Sequence, residues 1–196
     1  MQFLIQLWGG GFYLLNKIFF ATAERCLTNR KRKWQIASWL VYLFGLPAWL
    51  IIFFFERNWI VFGVEAGGGI SMLLGLIVAQ KGLGNEQSWL DNFSKLAIIL
   101  GVSFSLYDFG GINTINQGLE ISTTIGFLFG TYMLARQRSV GYIWFILMNI
   151  SMGILMFIEN YPWLFLQQII SLVFVVDALR YSRNRMNEFS LRIRRF

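Results

Sequence analysis

Long apolar runs, interrupted at near-regular intervals by aromatic and charged residues, dominate this chain. Seven of them approach the roughly 20 residues that a helix needs to cross hydrocarbon: 3–23, 36–55, 59–79, 94–112, 119–135, 141–158 and 162–180. The runs are continuous, not alternating, which predicts helices and argues against a barrel. The fourth is the weakest, because its clean stretch from Leu96 to Leu106 is short and Gly110-Gly111 follows Asp108. We expect it to be tilted, or packed inside protein. What remains is short loops, with no room for a soluble catalytic domain.

Two stretches repeat one pattern. The first runs from Trp39 through an apolar run to Glu56-Arg57-Asn58-Trp59, then an apolar run broken by Glu65. The second runs from Trp144 to Glu159-Asn160-Tyr161-Pro162-Trp163, then an apolar run broken by Gln167 and Gln168. The Trp pairs lie 20 and 19 residues apart. The helices preceding these stretches end alike, in Ala23-Glu24-Arg25 and Ala135-Arg136-Gln137-Arg138. A duplicated membrane hairpin with a polar side chain at matching depth points to a transporter built from repeats.

The pattern divides the chain into a first three-helix repeat (1–80), a linking helix (81–117), a second three-helix repeat (118–185) and a basic tail (186–196). A copy displaced by four spans enters the membrane from the same side, so the repeats are parallel. The expected fold is an all-α integral membrane protein with seven transmembrane helices. Its 3+1+3 parallel-repeat bundle is similar to the SWEET-type sugar-transporter architecture, with the pathway between the halves.

Composition agrees with the pattern. The chain is only 14% charged, where soluble domains are usually near a quarter. The net charge of +7 is explained by its distribution rather than by nucleic acid. With the N-terminus outside, the inner loops hold Arg25, Arg30, Lys31, Arg32, Lys33, Lys81, Lys95, Arg136, Arg138 and the arginines from Arg180 to Arg195. The outer loops hold only Arg57, and Lys17 lies within the first segment. The positive-inside rule then gives an N-out, C-in topology, which requires an odd number of spans. Residues 1–23 have no basic stretch before the apolar run and read as a retained anchor. Arg192, Arg194 and Arg195, with Phe189, Leu191, Ile193 and Phe196, suit either a solvated tail or anionic lipid. One cysteine, Cys26, and no histidine exclude a Cys/His zinc site and a His-based triad. No cofactor or metal is expected.

Polar groups within spans are costly and face interiors or cavities. Glu65 is the clearest case, and Gly67-Gly68-Gly69 beside it leave space for a ligand or for a close helix. Gln168 occupies the comparable place in the last span, with Ser171 one turn on. Gln167 points about 100° away, so only one of the two is expected to face a cavity squarely. Asn149 is a third interior amide, suited to a neutral hydrogen-bonding ligand or to joining helices. Glu120 begins the fifth span, where a helix dipole favours an acid and a pocket role is also open. Asp177 is expected to pair with Arg180, or with Arg136 and Arg138.

Trp34, Trp59, Trp89 and Trp163 suit interfacial belts, while Trp39, Trp49 and Trp144 lie deeper and suit stacking on a flat ligand. Pro47 is expected to kink the second span. Gly126-x-x-x-Gly130 has the spacing of a close helix contact.

The run Met133-Leu134-Ala135-Arg136-Gln137-Arg138, then Trp144, Asn149, Ile150-Ser151, Tyr161 and a polar residue at Gln168, resembles the PnuC-type nicotinamide riboside transporters. The first repeat matches more loosely through Trp59 and Glu65, and Glu120 falls where a family acid stands. The resemblance covers roughly residues 35–185.

It implies a homotrimer in the bacterial cytoplasmic (inner) membrane. The implied activity is facilitated diffusion of a vitamin-type nucleoside, most simply nicotinamide riboside, trapped by phosphorylation in the cytoplasm. Carried over, the site would comprise Glu65, Asn149, Gln168 and Trp144, with Trp39 and Glu120 as further candidates. Glu65 stands where relatives carry an amide, and Gly45-Leu46-Pro47 lies where a matching asparagine would. A carboxylate suits a cation such as nicotinamide riboside or thiamine better than neutral riboflavin. A membrane scaffold that moves nothing is the alternative from another class. A facilitator should have a cavity lined by Glu65, Asn149 and Gln168; a scaffold should bury these groups against each other.

Overall fold

The structure, a computed structural model, describes residues 2–26, 28–108 and 114–193, the last eight as backbone only. The side chains of the basic tail, for which solvent and anionic lipid are both open, and Gly110-Gly111 therefore lie outside the described residues. The described chain is seven α-helices: α1 (Gln2–Arg25), α2 (Thr28–Phe55), α3 (Trp59–Lys81), α4 (Ser88–Asp108), α5 (Ile115–Ala135), α6 (Gly141–Ile158) and α7 (Pro162–Ile193). Each expected segment holds one helix. The fourth span, expected over 94–112 within the 81–117 linking segment, is a helix from Ser88 to Asp108.

The ends of the helices follow from local chemistry. Asn58 caps α3, its side chain accepting from the Val61 N–H at 3.2 Å. Thr114 and Gln117 form a reciprocal capping box on α5, satisfying donors that a helix start leaves free. The repeat is most visible where α2 and α6 end. Arg57 (φ 56°) and Asn160 (φ 61°) both adopt the left-handed conformation. Asn58 N–H then reaches back to Phe53 O at 3.0 Å, and Tyr161 N–H to Met156 O at 2.9 Å. These are matching Schellman turns, so the duplicated sequence folds as a duplicated turn. Pro47 lies inside α2, which runs unbroken through it.

Helices pack in the ring α1–α2–α3–α5–α6–α7, and α7 closes onto α1. Helix α4 stands outside the ring against α3 and α5. The ring therefore consists of two three-helix halves meeting at two equivalent seams, α3/α5 and α7/α1. Ion pairs gather the C-terminal ends of α1 and α5, the start of α4 and the middle of α7 at one end of the bundle. The first helices of the halves therefore run the same way, as the span count predicts.

Glycines permit the closest approaches. Backbone atoms of Trp144 and Met148 lie where a Cβ on Gly126 would stand, 2.7 and 2.8 Å away, and Gly130 faces Phe145 and Gly141. The expected close contact joins α5 to α6.

Four helical stretches are long and apolar enough to cross a membrane: Asn29–Phe55, Trp59–Lys81, Gly141–Ile158 and Pro162–Arg185. Helices α1, α4 and α5 are less apolar and fall short of that measure. Asn16, Lys17 and Glu24 dilute α1, Asp91 and Lys95 dilute α4, and Asn116, Gln117 and Glu120 dilute α5. Around the bundle, Phe44, Phe54, Ile99, Phe104, Phe157 and Val173 are exposed. A continuous apolar exterior with satisfied helical backbones is what lipid requires; the protein is a helical membrane protein.

Candidate functional site

The ring is packed at its basic end and hollow at the other. The basic half is filled by Phe20, Trp39, Tyr42, Met72, Phe145 and Tyr142, all nearly inaccessible. The other half encloses a cavity of about 370 Å³ reached by all seven helices. That volume is within the range of small-molecule sites, near its lower end.

Three carboxylates line the cavity: Glu65 from α3, Glu120 from α5 and Glu159 from the end of α6. Among the described residues no lysine or arginine lines it. Tyr13, Trp49, Phe53 and Phe127 supply aromatic wall, and Gln167 and Gln168 supply amides. Glu65 is fixed by one direct partner, the Tyr13 hydroxyl, which donates to Oε2 at 2.7 Å. A hydrogen bond to a carboxylate is short and strong, so Tyr13 sets the rotamer of Glu65 across the ring. The Trp49 indole N–H and the Thr123 hydroxyl, both on residues of the wall, have no protein partner. Buried donors of this kind are normally satisfied by water or a ligand.

The candidate residues divide. Glu65, Gln168 and Glu120 line the cavity, with Glu65 and Gln168 at equivalent places in the two halves. Asn149, Trp144 and Trp39 do not. Asn149 is 2% exposed, and its Nδ2 donates back to Phe145 O at 2.6 Å on its own helix. It lies about 100° around α6 from Met148, which does line the cavity with Met152.

Trp39 packs edge-on to Phe20 at 5.0 Å, and Trp144 stacks on Phe129 at 5.3 Å. Each tryptophan therefore joins the second helix of its half to the first, which explains why it recurs. Gly67, Gly68 and Gly69 leave no ligand space, because Ala97, Phe127 and Leu46 pack against them. Both Gln167 and Gln168 reach the cavity, the former from over Gly10 at the α1/α7 seam. Asp177 pairs with Arg25 at 2.8 Å, and not with a basic residue of α5 or α7.

Sequence reading missed Tyr13, Lys17 and Glu159. Tyr13 and Lys17 interrupt the first apolar run four residues apart, a helical spacing that places them on one face. That spacing was the available signal.

Every described ion pair is at the basic end, and the two seams are bridged alike. Arg25 at the end of α1 pairs with Asp177 of α7, and Arg136 at the end of α5 pairs with Glu86 and Asp91. Arg185 adds hydrogen bonds to the Glu24 and Cys26 carbonyls at 2.6 and 2.8 Å. Glu86 lies in the α3–α4 loop. Backbone N–H groups, its own and that of Gly84, hold its carboxyl below the usual carboxylate range, and the Arg136 guanidinium adds to this.

Among the described residues no group of His, Cys, Asp and Glu is arranged to hold a metal. Comparison with protein-family models, curated proteins and solved structures gives no match to this chain.

Proposed function

We propose that the protein is a carrier, not an enzyme, and that it moves a flat, positively charged vitamin-type nucleoside through the cavity between its two halves. The observation that carries this reading is the charge of the wall: Glu65, Glu120 and Glu159 with aromatic rings and, among the described residues, no basic side chain. Carboxylates attract a cationic heterocycle, rings stack on its faces, and amides take the hydroxyls of a sugar. Nicotinamide riboside, suggested by the PnuC resemblance, has all three chemistries. Thiamine shares the cationic ring and is the second candidate; neutral riboflavin leaves the carboxylates uncompensated.

The positive-inside rule puts the basic end in the cytoplasm of a bacterial inner-membrane protein. The cavity then opens outward, and the paired seams close the inner side. Facilitated diffusion with trapping inside is what the PnuC resemblance implies. A homotrimer rests on the family resemblance alone. Against the scaffold alternative, Glu65 and Gln168 both line the cavity, whereas Asn149, expected with them, is buried and bonds its own helix.

The test is uptake by vesicles of nicotinamide riboside, thiamine and riboflavin, side by side. We expect nicotinamide riboside or thiamine to enter and riboflavin to lag. Folded protein that moves none of them contradicts the proposal.

A further inference from the structure

Below the cavity the ring is packed, yet its centre is not simply apolar. Lys17 of α1 is 3% exposed. Its Nζ stands 3.5 Å from the Phe145 ring centre and 4.5 Å from that of Tyr42. It also lies 3.4 Å from the Tyr42 hydroxyl. No described ion pair includes it. Two aromatic faces around an ammonium form a cage of the kind that binds organic cations.

The cage is the middle of a column. Above it, the Tyr42 ring meets Tyr13 edge-on at 4.6 Å, and Tyr13 donates to Glu65 at the cavity floor. Below it, Tyr142 meets Phe20 at 6.3 Å and donates to Glu24 Oε1 at 3.2 Å. Glu24 is 6% exposed, and its other oxygen holds Lys31 Nζ at 2.6 Å. The two ends of the column are chemically alike: a carboxylate, half-buried at Glu65 and buried at Glu24, with a tyrosine donating to it. They differ in occupancy by the protein's own cations. Glu65 faces open cavity, the cage holds Lys17, and Glu24 holds Lys31.

We infer that this column, from Glu65 through the Tyr42–Phe145 cage to Glu24, is the inner stretch of a path for an organic cation, which Lys17 and Lys31 occupy in this state. Lys17 is the plug. A buried ammonium with no carboxylate in direct contact among the described residues is expensive to hold in place, and a cation arriving at Glu65 competes with it for negative potential. The inference rests on the carrier reading and adds to it a second carboxylate station and a built-in competitor. A purely structural lysine predicts only loss of packing when it is replaced.

Methionine keeps the length of the lysine stem and removes the charge. Reconstituted Lys17→Met is compared with the unsubstituted protein and with Lys17→Arg for efflux of tetramethylammonium from loaded vesicles. We expect the unsubstituted protein and Lys17→Arg to retain the probe and Lys17→Met to release it at least tenfold faster. Lys17→Met that elutes and melts as a folded protein, yet retains the probe equally well, overturns the inference.

If Lys17→Met does not fold, Glu24→Gln decides. It is expected to slow nicotinamide riboside passage at least tenfold, with Glu24→Asp restoring most of the rate; passage at the unsubstituted rate overturns the inference. Nicotinamide riboside failing to bind the unsubstituted protein at all counts against the carrier reading. Binding without the predicted change in flux counts against the inner path alone.

Discussion

Gly68→Ala puts a methyl group where the structure has room only for a ring. Gly68 is buried in the middle of α3, and its Cβ would stand inside the contact distance of Phe127 Cε1 and Cζ, with Cδ1 at 3.5 Å. Helix propensity alone favours alanine by about 1 kcal/mol, whereas forcing atoms into a packed site costs about 1–3 kcal/mol. The net cost to stability is therefore about 0–2 kcal/mol, small enough for the fold to survive. The ring has one direction in which to yield. Phe127 is a wall of the cavity, and behind it lies Tyr42, centroid 6.4 Å away and fully buried. The displaced ring moves into the cavity and takes up space that a stacked ligand needs. A loss of 1.4–2.8 kcal/mol in binding, about ten- to a hundredfold, is the expected scale. The assay is equilibrium binding of nicotinamide riboside by detergent-purified protein, with thermal melting recorded alongside. A variant that melts near the unsubstituted temperature and binds with unchanged affinity would falsify the placement of Phe127 on a ligand-contacting wall.

Other substitutions separate cavity from scaffold. Glu65→Gln removes a charge that, a few ångströms from a cation at an effective dielectric constant near 20, is worth up to about 4 kcal/mol; affinity for nicotinamide riboside should fall at least tenfold and that for riboflavin little, and equal effects on both refute the charge argument. Uptake should be insensitive to proton and sodium gradients, whereas a strong proton dependence that Glu65→Gln abolishes would reverse that expectation. Trp39→Ala should cost about 3–5 kcal/mol of stability and leave substrate preference unaltered, because Trp39 packs on Phe20 outside the cavity; a folded variant with altered preference is the contrary result. Because Glu86 is held below the ordinary carboxylate range, its contribution to the α3/α5 seam is complete above that range and is lost as pH falls through its lowered pKa. Hydrogen exchange across the 82–87 loop should therefore rise under acid conditions in the unsubstituted protein, and be raised already at neutral pH in Glu86→Gln.

The sequence made the helices, the repeat and the equivalence of Glu65 with Gln168 legible, because each is local or periodic. Apolar length marks a span, and Glu56-Arg57-Asn58 and Glu159-Asn160-Tyr161 mark the same turn twice. Facing was harder. Periodicity tells which residues share a face of a helix but not which neighbour that face meets. Asn149 therefore looked like a ligand group and proved to bond its own helix, while Trp39 and Trp144 looked like pathway rings and proved to anchor each half. The glycine triplet left a ligand and a close helix both open, and the structure fills it with side chains of neighbouring helices, which sequence does not show. Lys17 shows in the sequence only as a charge within the first span, since its aromatic cage combines α1, α2 and α6, which are far apart in the chain.

The account stands on the cavity selecting positive charge on a flat ring. Nicotinamide riboside and its dihydro form have nearly the same shape, but only the first carries the ring cation. Measured on the same purified protein, the account predicts that the cationic form binds at least tenfold more tightly. Equal affinity, or preference for the neutral form, would contradict it.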